Sequence, residues 1–421
     1  MLIFVAFFTC FLPVTVTFAE SESSRPVVAW ISIDGIRPDY IARSETPFFD
    51  RMMAEGAYSL EHEVIFPSLT FPSHVSQATG VTVGQHGIPM NSFYDRALQR
   101  EFSFPGQSFL LEAEPIWVTA ERQGRRAAVY DWVLSYGAFD DVSPDIQGRG
   151  YAGYLDDHGR LQQVIDAWQN DQPDPAPLQL LMGYMDNPDQ IGHRFGPDSP
   201  EIEASMALMD QYIAEFAEEA LRLFHKTKAD GDEFYLLITS DHGMSKVHTA
   251  VNPYALADVD REEANSDRMM LVTSGNIAHV YVLDPHPDRQ QAEVDRIYAA
   301  ASAHDWVDVY RRDSLPERWG YDHPQRVGDI VMVLQKGYTF NRGTPGIKAP
   351  RDQVGGHIGM HGYDPKDNPE MTAIMLVWRY PTPLGGVDLG PVHSLQLHAT
   401  VADWLGIEPA EGADPRAIRL P

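Results

Sequence analysis

Along the chain, unbroken apolar runs alternate with stretches in which apolar residues recur every three or four positions. Pro26 to Ile33, Leu178 to Tyr184 and Phe234 to Thr239 are runs of the first kind, the pattern of strands buried on both faces of a parallel sheet. Arg126–Tyr130, Ile277–Leu283, Ile330–Leu334 and Met371–Trp378 predict further strands. Between them, Thr46-Pro47 followed by Phe48, Phe49, Met52 and Met53 supplies an N-cap, a first-turn proline and one apolar face, closed by Gly56. Pro115–Gln123, Glu201–Phe224, Gln290–Ala303 and Ser394–Leu405 predict helices, and His74 to Thr79 enters another. Gly337 to Gly356 is rich in Gly and Pro and predicts a loop. The alternation predicts an α/β fold with a mostly parallel central sheet flanked by helices. Weaker signals over 251–356 predict a smaller inserted cap or subdomain, and no repeat or long linker divides residues 20–421 into independent domains.

Composition changes little in this picture, but charge and the first residues change more. With 43% hydrophobic and 22% charged residues, the 421-residue chain has an ordinary globular composition. Met1 to Ala19 carry no charge, are rich in Leu, Phe and Val, and end in Thr17-Phe18-Ala19, which reads as a cleaved export signal. Thr9, Pro13, Thr15 and Thr17 interrupt the run, which is short for a membrane span. Cys10, the single cysteine, lies inside it, so the mature chain is expected to have no disulfide and to be periplasmic or secreted in a bacterium, with no stable membrane insertion. A net charge of −28 disfavours nucleic acid polymers and anionic membranes as partners. An anionic substrate would then need local positive potential, which metal ions can supply.

The polar residues that break the apolar runs carry the chemistry. Asp34-Gly35 follows the first run, Asp189 and His193 follow the second, and Ser240-Asp241-His242-Gly243 follows the third. Loops add Thr70, in Phe66-Pro67-Ser68-Leu69-Thr70-Phe71-Pro72-Ser73-His74, and His361. Each alone has a plain structural reading: a turn, a helix cap, an ion pair one helical turn apart. In a parallel sheet, however, the carboxyl ends of strands share one edge, so these groups can converge. Three Asp and three His divide into two sets of three; nitrogen and oxygen donors without thiolate favour zinc, with manganese or iron as alternatives. Two divalent ions suit in-line displacement at phosphorus and would activate the Thr70 hydroxyl.

Ile31–Gly35, Thr70-Phe71-Pro72-Ser73-His74, His86-Gly87-Ile88 with Asn91, Pro188-Asp189-x-x-Gly192-His193-x-x-Gly196-Pro197, Ser240–Met244 and His361-Gly362-Tyr363-Asp364 stand in this order. Together they resemble the nucleotide pyrophosphatase/phosphodiesterase branch of the alkaline phosphatase superfamily. The resemblance implies a three-layer alkaline-phosphatase-like fold and two zinc ions. It implies Asp34, Asp241 and His242 around the ion that touches Thr70, and Asp189, His193 and His361 around the other. It implies Thr70 as a nucleophile forming a phosphothreonine, with Asn91 and the Phe71 N–H as donors to the phosphoryl group. Phe71, Tyr184 and either Tyr151 or Tyr154 would hold the substrate, a small phosphodiester and by this resemblance a nucleotide that releases a nucleoside monophosphate. Ser73 stands where the family usually has Asn, and Trp132-Val133-Leu134-Ser135 replaces a Trp-Pro-Gly-Ser-like turn. A phosphomonoesterase, a phosphonate or choline-phosphodiester hydrolase, and a non-catalytic secreted binding protein are the alternatives. His357 reads as a neighbour of the ligand loop and not as a ligand.

Overall fold

The computed structural model describes residues 25–151, 153–171 and 177–421. The export signal read over Met1 to Ala19 therefore lies outside the described residues. Six longer strands of one nine-stranded sheet, numbered in chain order, are β1 (Val27–Ile33), β2 (Ala57–Glu63), β3 (Arg126–Val129), β4 (Leu178–Met185), β5 (Phe234–Thr239) and β6 (Ala373–Tyr380). Their spatial order is β2-β6-β5-β1-β4-β3. β1 runs parallel to β4 and β5, and β3 runs parallel to β4, whereas β6 is antiparallel to both its neighbours. The three strands whose ends carry Asp34, Asp189 and Asp241 are thus adjacent and point the same way.

The unbroken apolar runs have a direct cause: helices cover both faces of the sheet. Alternate residues of β1 point to opposite sides. Val27, Ala29, Ile31 and Ile33 enter one core with the helices Pro47–Glu55, Asp157–Gln169 and Pro200–Thr227. Val28 and Trp30 enter a second with Ile116–Arg122 and Gln396–Leu405. Asp210, buried on the long helix, accepts hydrogen bonds from the Phe48 and Phe49 N–H groups at 3.1 and 2.7 Å. It does the work expected of Thr46, which makes no side-chain cap.

Two other elements differ from the sequence expectation. The helix expected over His74–Thr79 begins at Thr70. Pro72 falls in its first turn, where a missing N–H leaves no bond unmade. Residues 337–356, expected as loop, contain strands Tyr338–Phe340 and Lys348–Pro350, which flank Thr249–Val251, and the turn of helix Arg351–Val354. That pairing is with a distant segment, so the local pattern carries no sign of it. Within 251–356, a five-stranded antiparallel sheet and the helix Pro287–Ala301 enclose a hydrophobic cluster of their own.

Four buried histidines bind the layers together in neutral form. The His86 Nδ1 accepts from the Ile88 N–H and the His398 Nε2 accepts from the Ala410 N–H, at 3.1 and 2.9 Å. Burial pushes His86 and His279 down to about 3 and His62 and His398 down to about 4. The unfolded chain therefore binds more protons than the folded one from about pH 6.5 down to those values, and stability falls as pH falls through that window. At pH 5 each histidine contributes about 2 kcal/mol of lost stability. We expect unfolding below about pH 5 in a circular-dichroism titration, the summed loss being comparable to the stability of a typical domain. A metal-loaded protein equally stable to urea at pH 7 and pH 5 would contradict this.

Candidate active site

Asp34 sits one residue beyond β1 and Asp241 two beyond β5, while Asp189 opens the short helix Asp189–Phe195 beyond β4. Gly35 lets the first two turns meet the third. Its φ is +75°, and a Cβ there would lie 2.9 Å from the Asp189 Cα, so a side chain is excluded both by the backbone conformation and by space. The Asp189 N–H donates to the Asp34 carbonyl at 3.2 Å.

All six expected ligands converge. The His242 Nε2 is 3.3 Å from Asp34 Oδ1 and 3.1 Å from Asp241 Oδ2. The His193 Nε2 is 3.3 Å from Asp189 Oδ2 and 3.3 Å from the His361 Nε2, which lies 3.6 Å from Asp189 Oδ1. Among the described residues, two groups bring ligand atoms within reach of one cation: Asp34, Asp241 and His242, and Asp189, His242 and His361. His242 stands between the two sets, its ring stacked 3.5 Å from that of His361.

The donor set fits divalent cations. His193, His242 and His361 each donate from Nδ1 to a backbone carbonyl, of Gly359, Gly243 and Ser68 respectively. That fixes the tautomer and leaves every Nε2 as a lone pair facing inward. Two such nitrogens 3.3 Å apart have no proton to share. Asp34 Oδ1, Asp189 Oδ1 and Asp241 Oδ2 are buried and have no hydrogen-bond partner, a costly state for carboxylates unless a cation completes it. Burial, then the charges of Asp241 and Asp189, hold the Asp34 carboxyl well above its usual range. Burial would raise Asp241 too, but attraction to the His242 and His74 rings when they are protonated, together with the Gly35 N–H bond to its Oδ1, outweighs burial and holds it below its usual range.

Thr70 opens its helix with its hydroxyl 3.3 Å from the His242 Nε2. Asn91 reaches across to that helix: its Oδ1 accepts from the Phe71 N–H at 3.0 Å. The Phe71 N–H, expected as a phosphoryl donor, is therefore engaged, because an unpaired N–H in a first turn takes the nearest side-chain acceptor. The Asn91 amide N–H groups remain for a ligand. The loop carrying Asn91 is pinned by the inserted region. Arg326 donates to the Gly87 carbonyl at 2.9 Å and pairs with Asp95 at 2.8 Å, and the Tyr321 hydroxyl donates to the Pro89 carbonyl at 2.8 Å.

A cleft of about 380 Å³ opens over these groups, with Phe71, Phe104, Tyr136, Tyr151 and Tyr184 in its walls and no Lys or Arg among its lining residues. The Tyr184 hydroxyl donates to Asp34 Oδ2 at 2.5 Å, so this residue also orients a candidate ligand. Tyr151 lines the cleft, its ring backed by the Arg160 guanidinium at 4.4 Å and its hydroxyl donating to Asp186 at 2.5 Å. Tyr154, 84% exposed, is not among the lining residues. His357 lies at the rim, 4.4 Å from the His193 ring; neither of these two histidines belongs to the two close groups, but His193 lies 3.3 Å from both Asp189 and His361. His74, a residue to which the sequence attaches no role, donates from Nδ1 to the Thr70 carbonyl at 2.8 Å and faces Asp241 at 3.4 Å. Its position one helical turn after Thr70 was the available signal.

The family model described as type I phosphodiesterase / nucleotide pyrophosphatase matches residues 28–364. Human ectonucleotide pyrophosphatase/phosphodiesterase family member 5 is 26% identical over 366 residues, 86% of this chain and 70% of the relative. A bis(5'-adenosyl)-triphosphatase of Bos taurus is 26% identical over 423 residues, covering 93% and 80%. Among solved structures, an inactive form of murine ectonucleotide pyrophosphatase/phosphodiesterase 5 in complex with AMP superposes with a TM-score of 0.76 at 25% identity, covering 91% of this chain and 96% of that one.

Proposed function

This chain belongs to the type I phosphodiesterase / nucleotide pyrophosphatase family, and from that premise we propose that it hydrolyses nucleotide phosphodiester or pyrophosphate bonds through a phosphothreonine at Thr70, releasing a nucleoside monophosphate. Phosphodiester hydrolysis follows from the family. The observation that carries the finer reading is the Thr70 hydroxyl at a helix start beside two sets of inward-facing, partnerless ligand atoms. Asp34, Asp241 and His242 would hold one divalent ion and Asp189, His193 and His361 a second, most readily zinc given nitrogen and oxygen donors without thiolate. Such ions, when bound, neutralise phosphoryl charge and acidify hydroxyl groups.

The chain's own residues do the rest. The Thr70 hydroxyl gives up its proton to solvent and its oxygen attacks phosphorus; the Oγ1–P bond forms and the bond to the leaving group breaks, the departing oxygen taking up a proton from solvent when it leaves as an alcohol. The Asn91 amide, oriented by the Phe71 N–H, donates to a non-bridging oxygen as charge grows there. Water, giving up a proton to solvent, then attacks phosphorus from the vacated side, the Oγ1–P bond breaks and Oγ1 takes up a proton, which restores the hydroxyl. Phe71, Tyr151 and Tyr184 would line the space for the retained nucleoside, a reading that the AMP complex of the murine relative supports. We assign residues 20–421 to one catalytic unit whose inserted region 251–356 buttresses the Asn91 loop, and Met1–Ala19 to export into the periplasm or medium, in keeping with relatives named ectoenzymes. Among the described residues no helix is long and apolar enough to cross a membrane.

The test is a panel of nitrophenyl esters. We expect p-nitrophenyl thymidine monophosphate to be turned over with at least about tenfold higher kcat/KM than p-nitrophenyl phosphate, because the added nucleoside supplies transition-state binding that the monoester lacks. Preference for the monoester would overturn the diesterase reading, and preference for nitrophenyl phosphorylcholine the nucleotide one.

A further inference from the structure

We propose that Phe104 is a specificity-determining wall of the cleft, forming with Phe71 an aromatic corner that holds a flat, uncharged ring carried on the phosphodiester substrate; this rests on the phosphodiesterase reading above. Phe104 follows strand Arg100–Ser103, whose hairpin partner Ser92–Asp95 begins directly after Asn91. Its N–H donates to the Asn91 carbonyl at 2.8 Å, so the residue is fixed to the same loop that carries the phosphoryl donor. Its φ is +45°, a conformation that bulky side chains rarely adopt and that costs free energy. Packing does not explain this, because the ring is 65% exposed.

What the ring does touch is Phe71, edge to face at 5.5 Å and 86°. The two line the same cleft as Tyr151 and Tyr184. The chain after Phe104 is held close as well. The Tyr136 N–H donates to the Gly106 carbonyl at 3.1 Å, and a Cβ on Gly106 would come within 2.6 Å of the Tyr136 ring. An exposed aromatic in a strained backbone, anchored on both sides and aimed at a cleft, is explained by a ligand. Aromatic walls hold planar rings of any base by stacking.

The experiment compares Phe104→Ala, Phe104→Gly and Phe104→Tyr with the parent. For each, kcat/KM for p-nitrophenyl thymidine monophosphate is divided by that for methyl p-nitrophenyl phosphate, which shares the leaving group and lacks the nucleoside. We expect this ratio to fall about tenfold in the Ala and Gly variants, chiefly through KM, and to be kept by Tyr. The Gly variant, free of the φ penalty, should keep the parent's melting temperature, which separates recognition from folding. Equilibrium dialysis of AMP against Thr70→Ala, with and without Phe104→Ala, gives a readout without turnover; about tenfold weaker binding is expected. An unchanged ratio with unchanged AMP binding overturns the proposal. An equal fall for both esters also overturns it, assigning Phe104 to holding Asn91. A larger loss with nitrophenyl phosphorylcholine than with the thymidine ester replaces the flat ring by a quaternary ammonium group. If the parent hydrolyses neither diester while AMP binding still weakens in Phe104→Ala, the phosphodiesterase reading fails and the ring site stands.

Discussion

Thr70→Ala is expected to lower phosphodiester turnover on the order of a thousandfold or more, the scale seen when a nucleophile is deleted from a unit that acts together. Little else should change. Thr70 is half-buried at the first position of its helix, and among the described residues its hydroxyl bonds to the His242 Nε2 alone. Alanine is well tolerated in a helix, and the Thr70 carbonyl still accepts from His74 in the variant. Metal content should remain near two per chain, since all six proposed ligands stay in place. Acid-quenched parent protein should carry a phosphoryl group on Thr70 by peptide mass spectrometry, and the variant none. Turnover within tenfold of the parent would instead make water the nucleophile and leave Thr70 a helix-start residue.

Much of this site was legible in the sequence, for a physical reason. Asp34, Asp189 and Asp241 follow apolar runs that could only be strands buried on both faces, and parallel strands put such residues on one edge. The six side chains lie together at that edge, within 3.1 to 3.6 Å of one another in pairs. The residues that adjust the site were less legible. Asp210 caps a helix 161 positions away from Phe49, and Arg326 reaches Gly87 across 239 positions; nothing local announces either bond. Asn91 was expected to act beside the Phe71 N–H and instead consumes it, since the pairing depends on how a loop meets a helix start. Tyr151 and Tyr154 were equivalent in sequence, and only the fold puts one against Arg160 in the cleft and the other in solvent. Phe104 lay outside every motif, and its significance comes from a backbone angle that composition does not encode.

Removing divalent ions is expected to abolish turnover and to destabilise the protein, and Asp34→Asn should then stabilise the metal-free chain. Three carboxylates, of Asp34, Asp189 and Asp241, are buried together with one oxygen each left without a hydrogen-bond partner. Without cations they repel one another through a medium that screens poorly. Bound ions reverse that term and add binding free energy that the unfolded chain does not share. At a free concentration a thousand times the dissociation constant, this amounts to about 4 kcal/mol per site. Dialysis against a chelator should therefore shift urea unfolding to lower denaturant, and added zinc should restore both the midpoint and turnover. In the stripped state burial and the neighbouring carboxylates hold the Asp34 carboxyl well above its usual range, and Asp34→Asn removes that cost while keeping an acceptor for the Tyr184 hydroxyl. Its midpoint should exceed that of the stripped parent, whereas in zinc the order should invert, because the variant has lost a ligand. The crossing of the two orders is the decisive result, since a residue serving only the fold would lower stability in both states. A chelated parent as stable as the zinc-loaded one would refute the assignment of these carboxylates to metal.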